Sequence, residues 1–458
     1  MNLFRTKPVH PDDAARDTGL HRTLGPWDLT FLGIGAVIGA GVFVLTGVAA
    51  ATQAGPALVL SFVLAGLACA FAAMAYAELA AAVGGCGSAY GYAYASLGEL
   101  VAWIIGWALM LEYGMSVSAV AVGWSGYLQN ALQAIGMALP DALTKGPSEG
   151  GVMNLPASLV ILVLGVLLAI GVQSSARVNA AIVFVKVTAI AIFVIVASGN
   201  VNPANWQPFL PFGWLGVTQG AALIFFAYIG FDAVSTAAEE ATRPQRDVPF
   251  AIITALGVCT LLYILVSGLL TGIAPYHTLN VPSPVSDALL GLGYNWAAGL
   301  VAAGAIAGLS SVMLVCFYGQ TRVLLAMGRD GLLPGFFSDI HARTRTPVKA
   351  ILLSGVIMSA VAGFTPIGEI AEIVNIGTLS AFVVVCIGVM VLRQRRPDLA
   401  RPFRVPFGPV IPVLGAASCF YLMLNLPAVT WMRFAIWMGF GLLVYATYSV
   451  RRSALARA

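Results

Sequence analysis

Long apolar runs, broken by short polar stretches, set the pattern of this chain. A helix crossing a bilayer needs about 20 apolar residues. On that length the sequence predicts twelve spans, at 27–51, 56–80, 99–131, 155–174, 178–198, 214–237, 250–274, 296–325, 347–365, 369–392, 409–426 and 430–450. The third and eighth exceed the bilayer thickness and are expected to tilt or to run past it. The runs are too long for a β-barrel, whose strands take about ten residues and alternate in polarity. The expected fold class is therefore an all-α polytopic membrane protein. Loop 81–98 carries three tyrosines and reads as a short interfacial helix, whereas Pro282 and Pro284 argue against regular structure in the 275–295 loop.

Two of these runs contain residues that a continuous apolar helix would avoid. The first holds Gly33-Ile34-Gly35-Ala36-Val37-Ile38-Gly39-Ala40-Gly41-Val42-Phe43, with four glycines in nine residues. Each glycine costs a helix about 1 kcal/mol relative to alanine. One reading is close helix packing, because Gly35 and Gly39 have the small-xxx-small spacing. The other is a helix that opens at Gly39-Ala40-Gly41, since irregular backbone inside a membrane survives where it lines a cavity. The sixth run favours the second reading, because Gly230 and Asp232 interrupt Phe225-Phe226-Ala227-Tyr228-Ile229-Gly230-Phe231-Asp232. Interrupted helices in corresponding places of two halves point to a transporter's substrate site. If each begins a five-helix unit, spans 1–5 and 6–10 form an inverted repeat. The expected division is then 1–26 as N-terminal segment, 27–198 and 214–392 as the two repeats, 409–450 as an accessory pair and 451–458 as tail.

Composition supports a membrane protein: 59% of the 458 residues are hydrophobic and 9% charged, with a mean hydropathy of +0.91. Soluble domains carry about 25% charged residues. The net charge of +4 has a topological explanation and is no signal for nucleic acid. Twenty of the 23 lysines and arginines fall on one side of the twelve-span arrangement, while Lys145 and Arg433 fall on the other and Lys186 within a span. Positive residues collect on the cytoplasmic side, so both termini are expected inside, in the cell's inner (plasma) membrane. No cleavable signal peptide is expected, because the first apolar run is too long for one. Five cysteines lie in apolar runs and Cys86 in a loop, with no metal or disulfide spacing.

Several stretches together resemble the amino acid–polyamine–organocation superfamily, and within it the cationic amino acid transporter family. They are GIGAVIGAGVF at 33–43, GSAYGYAY at 87–94, GELVAWIIGWALMLEYG at 98–114, FFAYIGFDAVSTAAEE at 225–240 and YGQTRVLLAMGRDGLLP at 318–334. The resemblance implies a five-plus-five inverted-repeat fold and secondary transport of amino acids. It also implies proton coupling, with a lysine of the fifth span in the position that other members give to sodium. It places a substrate carboxylate on backbone at Val37, Ile38, Gly39, Ala40 and Gly41, although Ala40 lacks the hydroxyl frequent there.

Lys186 matches that lysine. A central lysine costs about 2.5–3.5 kcal/mol by insertion scales and is functional by default; the plainer reading is that it snorkels to the nearby interface. Its expected partners are first-span carbonyls and a hydroxyl such as Ser310 or Ser311. The substrate ammonium is expected at carbonyls of Phe226, Ala227 and Ile229, with Phe226 as a gate or simply as packing. Asp232 reads as a cap on the second half-helix, in preference to a substrate ligand. Glu112 could hold a substrate's side-chain cation or a proton, or serve as a hydrogen-bonded structural acid. Glu99 reads as capping, near one end of its span. Cys316 matches a position at the side-chain end of the pocket and leaves room for a longer substrate, so cationic and small neutral amino acids both stay open.

The leading expectation is a proton-coupled amino acid symporter, followed by an exchanger and a non-transporting nutrient receptor. An enzyme is disfavoured, since no catalytic cluster lies within the spans and His10, His21, His277 and His341 fall in tails or loops. No cofactor is expected. The expected partners are an amino acid, protons and lipid, with a small single-span membrane subunit as a further candidate.

Overall fold

A computed structural model describes residues 5–6, 24–83, 89–134, 136–137, 139–171, 176–236 and 241–457. Cys86, most of the N-terminal segment and the end of the 225–240 motif lie outside the described residues. The chain is helical, with no strand among the described residues. Its principal helices are α1 (Pro26–Val37), α2 (Leu58–Val83), α3 (Ala89–Ser96), α4 (Glu99–Ala134), α5 (Leu155–Ile170), α6 (Ala176–Ser198), α7 (Gly213–Ile224) and α8 (Pro244–Ile273). They continue as α9 (Pro284–Gly291), α10 (Asn295–Arg329), α11 (Val348–Phe364), α12 (Ile367–Arg395), α13 (Val410–Leu424) and α14 (Ala428–Val444). Among the described residues seven helical stretches have the length and apolarity to cross a membrane, and four shorter apolar ones accompany them.

The 275–295 loop corrects the sequence expectation. It contains the eight-residue α9, with Pro284 at its first position. There the missing N–H is one the helix would leave unpaired anyway, and the fixed φ of proline suits helix entry. Proline thus starts this helix where it was expected to exclude one. Across from α9, Asn130 near the end of α4 donates to Asp287 Oδ1 at 2.5 Å and to the Ser283 hydroxyl.

Helices α4 and α10 run side by side through the centre, and α12 packs along α4 as well. Helix α14 is fastened to α4 by two tryptophans. The Trp107 indole donates to the Trp437 carbonyl at 2.9 Å, and the Trp437 indole donates to the Trp107 carbonyl at 3.1 Å. Their rings stack with centroids 4.8 Å apart.

At the end of α2, buried Glu78 receives both arms of Arg393 from α12, at 2.8 and 2.5 Å, and the Val405 N–H at 2.7 Å. At the start of α4, Glu99 accepts hydroxyl hydrogen bonds from Tyr94 at 3.2 Å, Tyr445 at 3.0 Å and Ser453 at 2.5 Å. The Glu99 N–H donates to the Arg5 carbonyl at 2.9 Å. Both chain ends are therefore tied to this one carboxylate or its backbone.

Candidate functional site

The centre of the molecule is built from two places where α-helical hydrogen bonding stops. Helix α1 ends at Val37; Ile38 is extended, with φ −73° and ψ 103°, and a π-helical turn begins at Gly41. Helix α7 ends at Ile224, a 3-10 turn covers Phe225–Tyr228, and Ile229 is extended. Gly230 then takes φ +112°, a conformation that side chains disfavour and glycine adopts freely.

These two segments pack against each other. A Cβ built on Gly41 would lie 2.3 Å from the Cα of Ala227, and one on Gly230 would lie 2.9 Å from the Ala36 carbonyl oxygen. Close packing and irregular backbone are thus not alternatives here. Glycine at 41 serves the first and glycine at 230 serves both.

Backbone carbonyls released in an apolar interior must find donors. Three side chains from three other helices supply them. Lys186 of α6, fully buried, donates to the carbonyls of Gly35 at 2.7 Å and Ile38 at 3.0 Å. Its aliphatic stem lies against Gly308 of α10. The Tyr263 hydroxyl of α8 lies 2.9 Å from the carbonyls of both Val37 and Ala227. The Asn375 amide of α12 donates to the carbonyls of Ala222 at 2.8 Å and Leu223 at 2.7 Å. Lys186 was singled out by its charge. Tyr263 and Asn375 escaped sequence reasoning, because a tyrosine or asparagine in an apolar run gives no sign of which distant carbonyl it serves.

The remaining candidates divide into three groups. Ser310 does not reach the lysine: its hydroxyl accepts from the Trp124 indole at 3.0 Å and donates to the Ile306 carbonyl. Among the described residues Ser311 makes no bond to Lys186 either. In the second irregular segment, the Ala227 carbonyl is engaged by Tyr263 and the Phe226 carbonyl by the Ile229 N–H. A carbonyl has two lone pairs, so both keep acceptor capacity. The side chains of Phe226, Ile229, Ser311 and Cys316 retain 6–8% exposure, while Ala227, Tyr228, Met313 and Phe317 beside them retain at most 1%.

The acids form the third group. Asp232 accepts from the Tyr113 hydroxyl of α4 at 2.9 Å, and its own carbonyl accepts from the Ser235 N–H at 2.8 Å. Glu112, one residue before Tyr113, is 1% exposed and its Oε2 has no hydrogen-bond partner among the described residues. Its carboxylate is an electrostatic neighbour of Asp232. Glu99 stands apart, at the start of α4, among its three hydroxyl donors. Among the described residues no group of histidine, cysteine, aspartate or glutamate has the arrangement to hold a metal ion.

A family model described as amino acid permease matches residues 24–447, which takes in both irregular segments, Lys186 and the Tyr263 and Asn375 contacts. The chain belongs to the amino acid permease family. The permease is 50% identical over 457 residues to the methylthioribose transporter of Bacillus subtilis, with 99% of each chain covered. It is 49% identical over 461 residues to the branched-chain amino acid permease BcaP of the same organism, again with 99% of each covered. A vacuolar cationic amino acid transporter 4 of Arabidopsis thaliana is 40% identical over 408 residues, covering 87% of this permease and 68% of the relative. These relatives are transporters and not enzymes. With its apolar helices, the permease is an integral membrane protein.

Proposed function

We propose that the permease is a secondary transporter whose substrate, an amino acid, lies between the irregular segments at 38–41 and 225–230. On this reading they are the interruptions of the first and sixth of twelve spans. Spans 1–5 and 6–10 form an inverted repeat, spans 11 and 12 are accessory, and both termini are cytoplasmic. The substrate carboxylate meets N–H groups at Gly39, Ala40 and Gly41, where the positive end of a half-helix favours an anion. Its ammonium meets carbonyls of the second segment, above all Ile229. Phe226 closes over the site. Apolar faces of Phe226, Ile229 and Cys316 suit a neutral side chain, and the relative named for branched-chain amino acids is consistent with that choice.

The observation that carries the reading is the Lys186 ammonium on the carbonyls of Gly35 and Ile38. An ammonium bound to carbonyls at the end of an interrupted helix does the work of a bound alkali cation and holds the first segment open. Unlike a metal ion, it can exchange a proton. We therefore assign proton-coupled symport. Neutralising Lys186 weakens its hold on both carbonyls, because the bonds lose their charge assistance, and reprotonation restores it.

The test is uptake into proteoliposomes, with and without an acidic exterior. The panel contains branched-chain and cationic amino acids, alanine and methylthioribose. Concentrative uptake of a neutral amino acid that requires the proton gradient is expected, and Lys186→Ala should still bind it but fail to concentrate it. Uptake driven only by an opposing internal amino acid would replace symport with exchange. Uptake of methylthioribose alone would overturn the amino acid assignment.

A further inference from the structure

Away from the centre, a cavity of about 450 Å³ lies between the first turns of α8 and the segment joining α12 to α13. Arg246, Pro249, Phe250 and Ile253 form one wall, and Pro402 and Phe403 the other. Offsets of three, four and seven from Arg246 put the first wall on a single helix face. The face changes character along its length: a guanidinium first, then rings and aliphatic carbon.

Arg246 is exposed and has no acidic partner among the described residues. Its neighbour Arg243, by contrast, faces Asp247 at 3.8 Å. Phe250 and Ile253 are 42% and 43% exposed, and the Trp27 ring meets Phe250 edge-on at 5.6 Å. Indoles gather at the headgroup level of membranes.

Helix α8 has 30 residues and is about 45 Å long, against about 30 Å of hydrocarbon. Its ends therefore reach the headgroup layers. Along its axis Phe250 lies about 6 Å and Ile253 about 10 Å deeper than Arg246. That is the depth order of a glycerophospholipid, phosphate first and acyl carbon below.

We propose that this cavity binds an anionic glycerophospholipid, with the phosphate on Arg246 and an acyl chain along Phe250 and Ile253. The guanidinium of Arg246, without an acidic partner among the described residues, supplies a planar donor fork for phosphate oxygens. The apolar wall below it selects a lipid over a soluble phosphate. Phe403 holds the lipid from the opposite side, so the bound molecule bridges α8 to the α12–α13 segment.

The experiment is thermal denaturation of the purified full-length chain in detergent. It is titrated with phosphatidylglycerol, phosphatidylcholine or glycerol 3-phosphate. A saturable rise in midpoint with phosphatidylglycerol is expected, with a clearly weaker response to phosphatidylcholine and none to glycerol 3-phosphate. Arg246→Gln should raise the half-saturating phosphatidylglycerol concentration about tenfold, as expected for one lost charge-assisted contact, and Arg246→Lys should lie between. Ile253→Trp, which fills the lower cavity without touching the charge, should give the same loss and serves if Arg246→Gln does not fold. An unchanged response in both variants overturns the proposal. So does an equal response to phosphatidylcholine, or a rise produced by glycerol 3-phosphate alone.

Discussion

Gly41→Ala isolates the packing of one irregular segment on the other. The added methyl would sit 2.3 Å from both the Cα and the Cβ of Ala227 and 2.9 Å from its nitrogen, whereas ordinary van der Waals approach begins at 3.4 Å. The segments must therefore separate by about 1 Å, and the obstacle is main chain, which has no rotamer to turn. Forced overpacking of this kind costs typically 1–3 kcal/mol, or about 5- to 150-fold in the population of the close-packed arrangement. The Tyr263 hydroxyl, shared between Val37 and Ala227, would be stretched by the same movement. Gly39→Ala is the control, since its methyl would meet only Val312 side-chain atoms at 3.3 Å and beyond. Thermal midpoint and initial uptake rate are measured for both variants. Gly41→Ala should lose several degrees and at least nine-tenths of its uptake (roughly the middle of that range), and Gly39→Ala should keep most of its midpoint. Adding Ala227→Gly to Gly41→Ala should restore only part, because the main chain at residue 227 still stands in the way of the new methyl. Wild-type midpoint and uptake in Gly41→Ala would refute the claim that these segments must touch.

Tyr263→Phe should cost about 1–3 kcal/mol through carbonyls left without a donor and should lower uptake more than its loss of midpoint explains; equal losses would reduce Tyr263 to a packing residue. Arg393→Ala leaves the Glu78 carboxylate buried beside Arg401 at 3.8 Å without its bidentate partner, at a cost of about 3–5 kcal/mol; a midpoint within a degree of wild type would contradict it. Asp287, in the α9 loop, has its carboxyl raised above the usual range by burial, partly offset by Asn130 and Ser283. A raised native value means that the folded form holds the proton more tightly. Its stabilising contribution is therefore present at low pH and fades as pH rises through that value. Asp287→Asn should flatten this dependence in a midpoint-against-pH series, and an unchanged slope would count against it.

What could be read beforehand follows from range. Long apolar runs announce helices locally, and Lys186 announces itself because a lone ammonium in such a run must find acceptors. The glycines at 33–41 mark an unusual backbone, yet nothing local shows that Gly41 faces the main chain of Ala227. Side chains that act across the fold leave no local trace. Tyr263, Asn375 and the reciprocal Trp107–Trp437 pair look like ordinary residues of apolar helices until their partners, up to 330 positions away, are in view. Pro284 misled for the opposite reason: proline's local meaning depends on whether it enters a helix or interrupts one. Ser310 carries a hydroxyl that could serve Lys186, yet the indole of Trp124 donates to it instead.

The ties at Glu99 have a practical corollary for handling the molecule. Ser453, beyond the last long helix, supplies with Tyr445 two of the three hydroxyls on that carboxylate. Trimming the tail ahead of Ser453 would strip a donor from an acid 2% exposed. Any truncation or affinity handle is therefore better placed beyond Ser453, so that this donor stays in place.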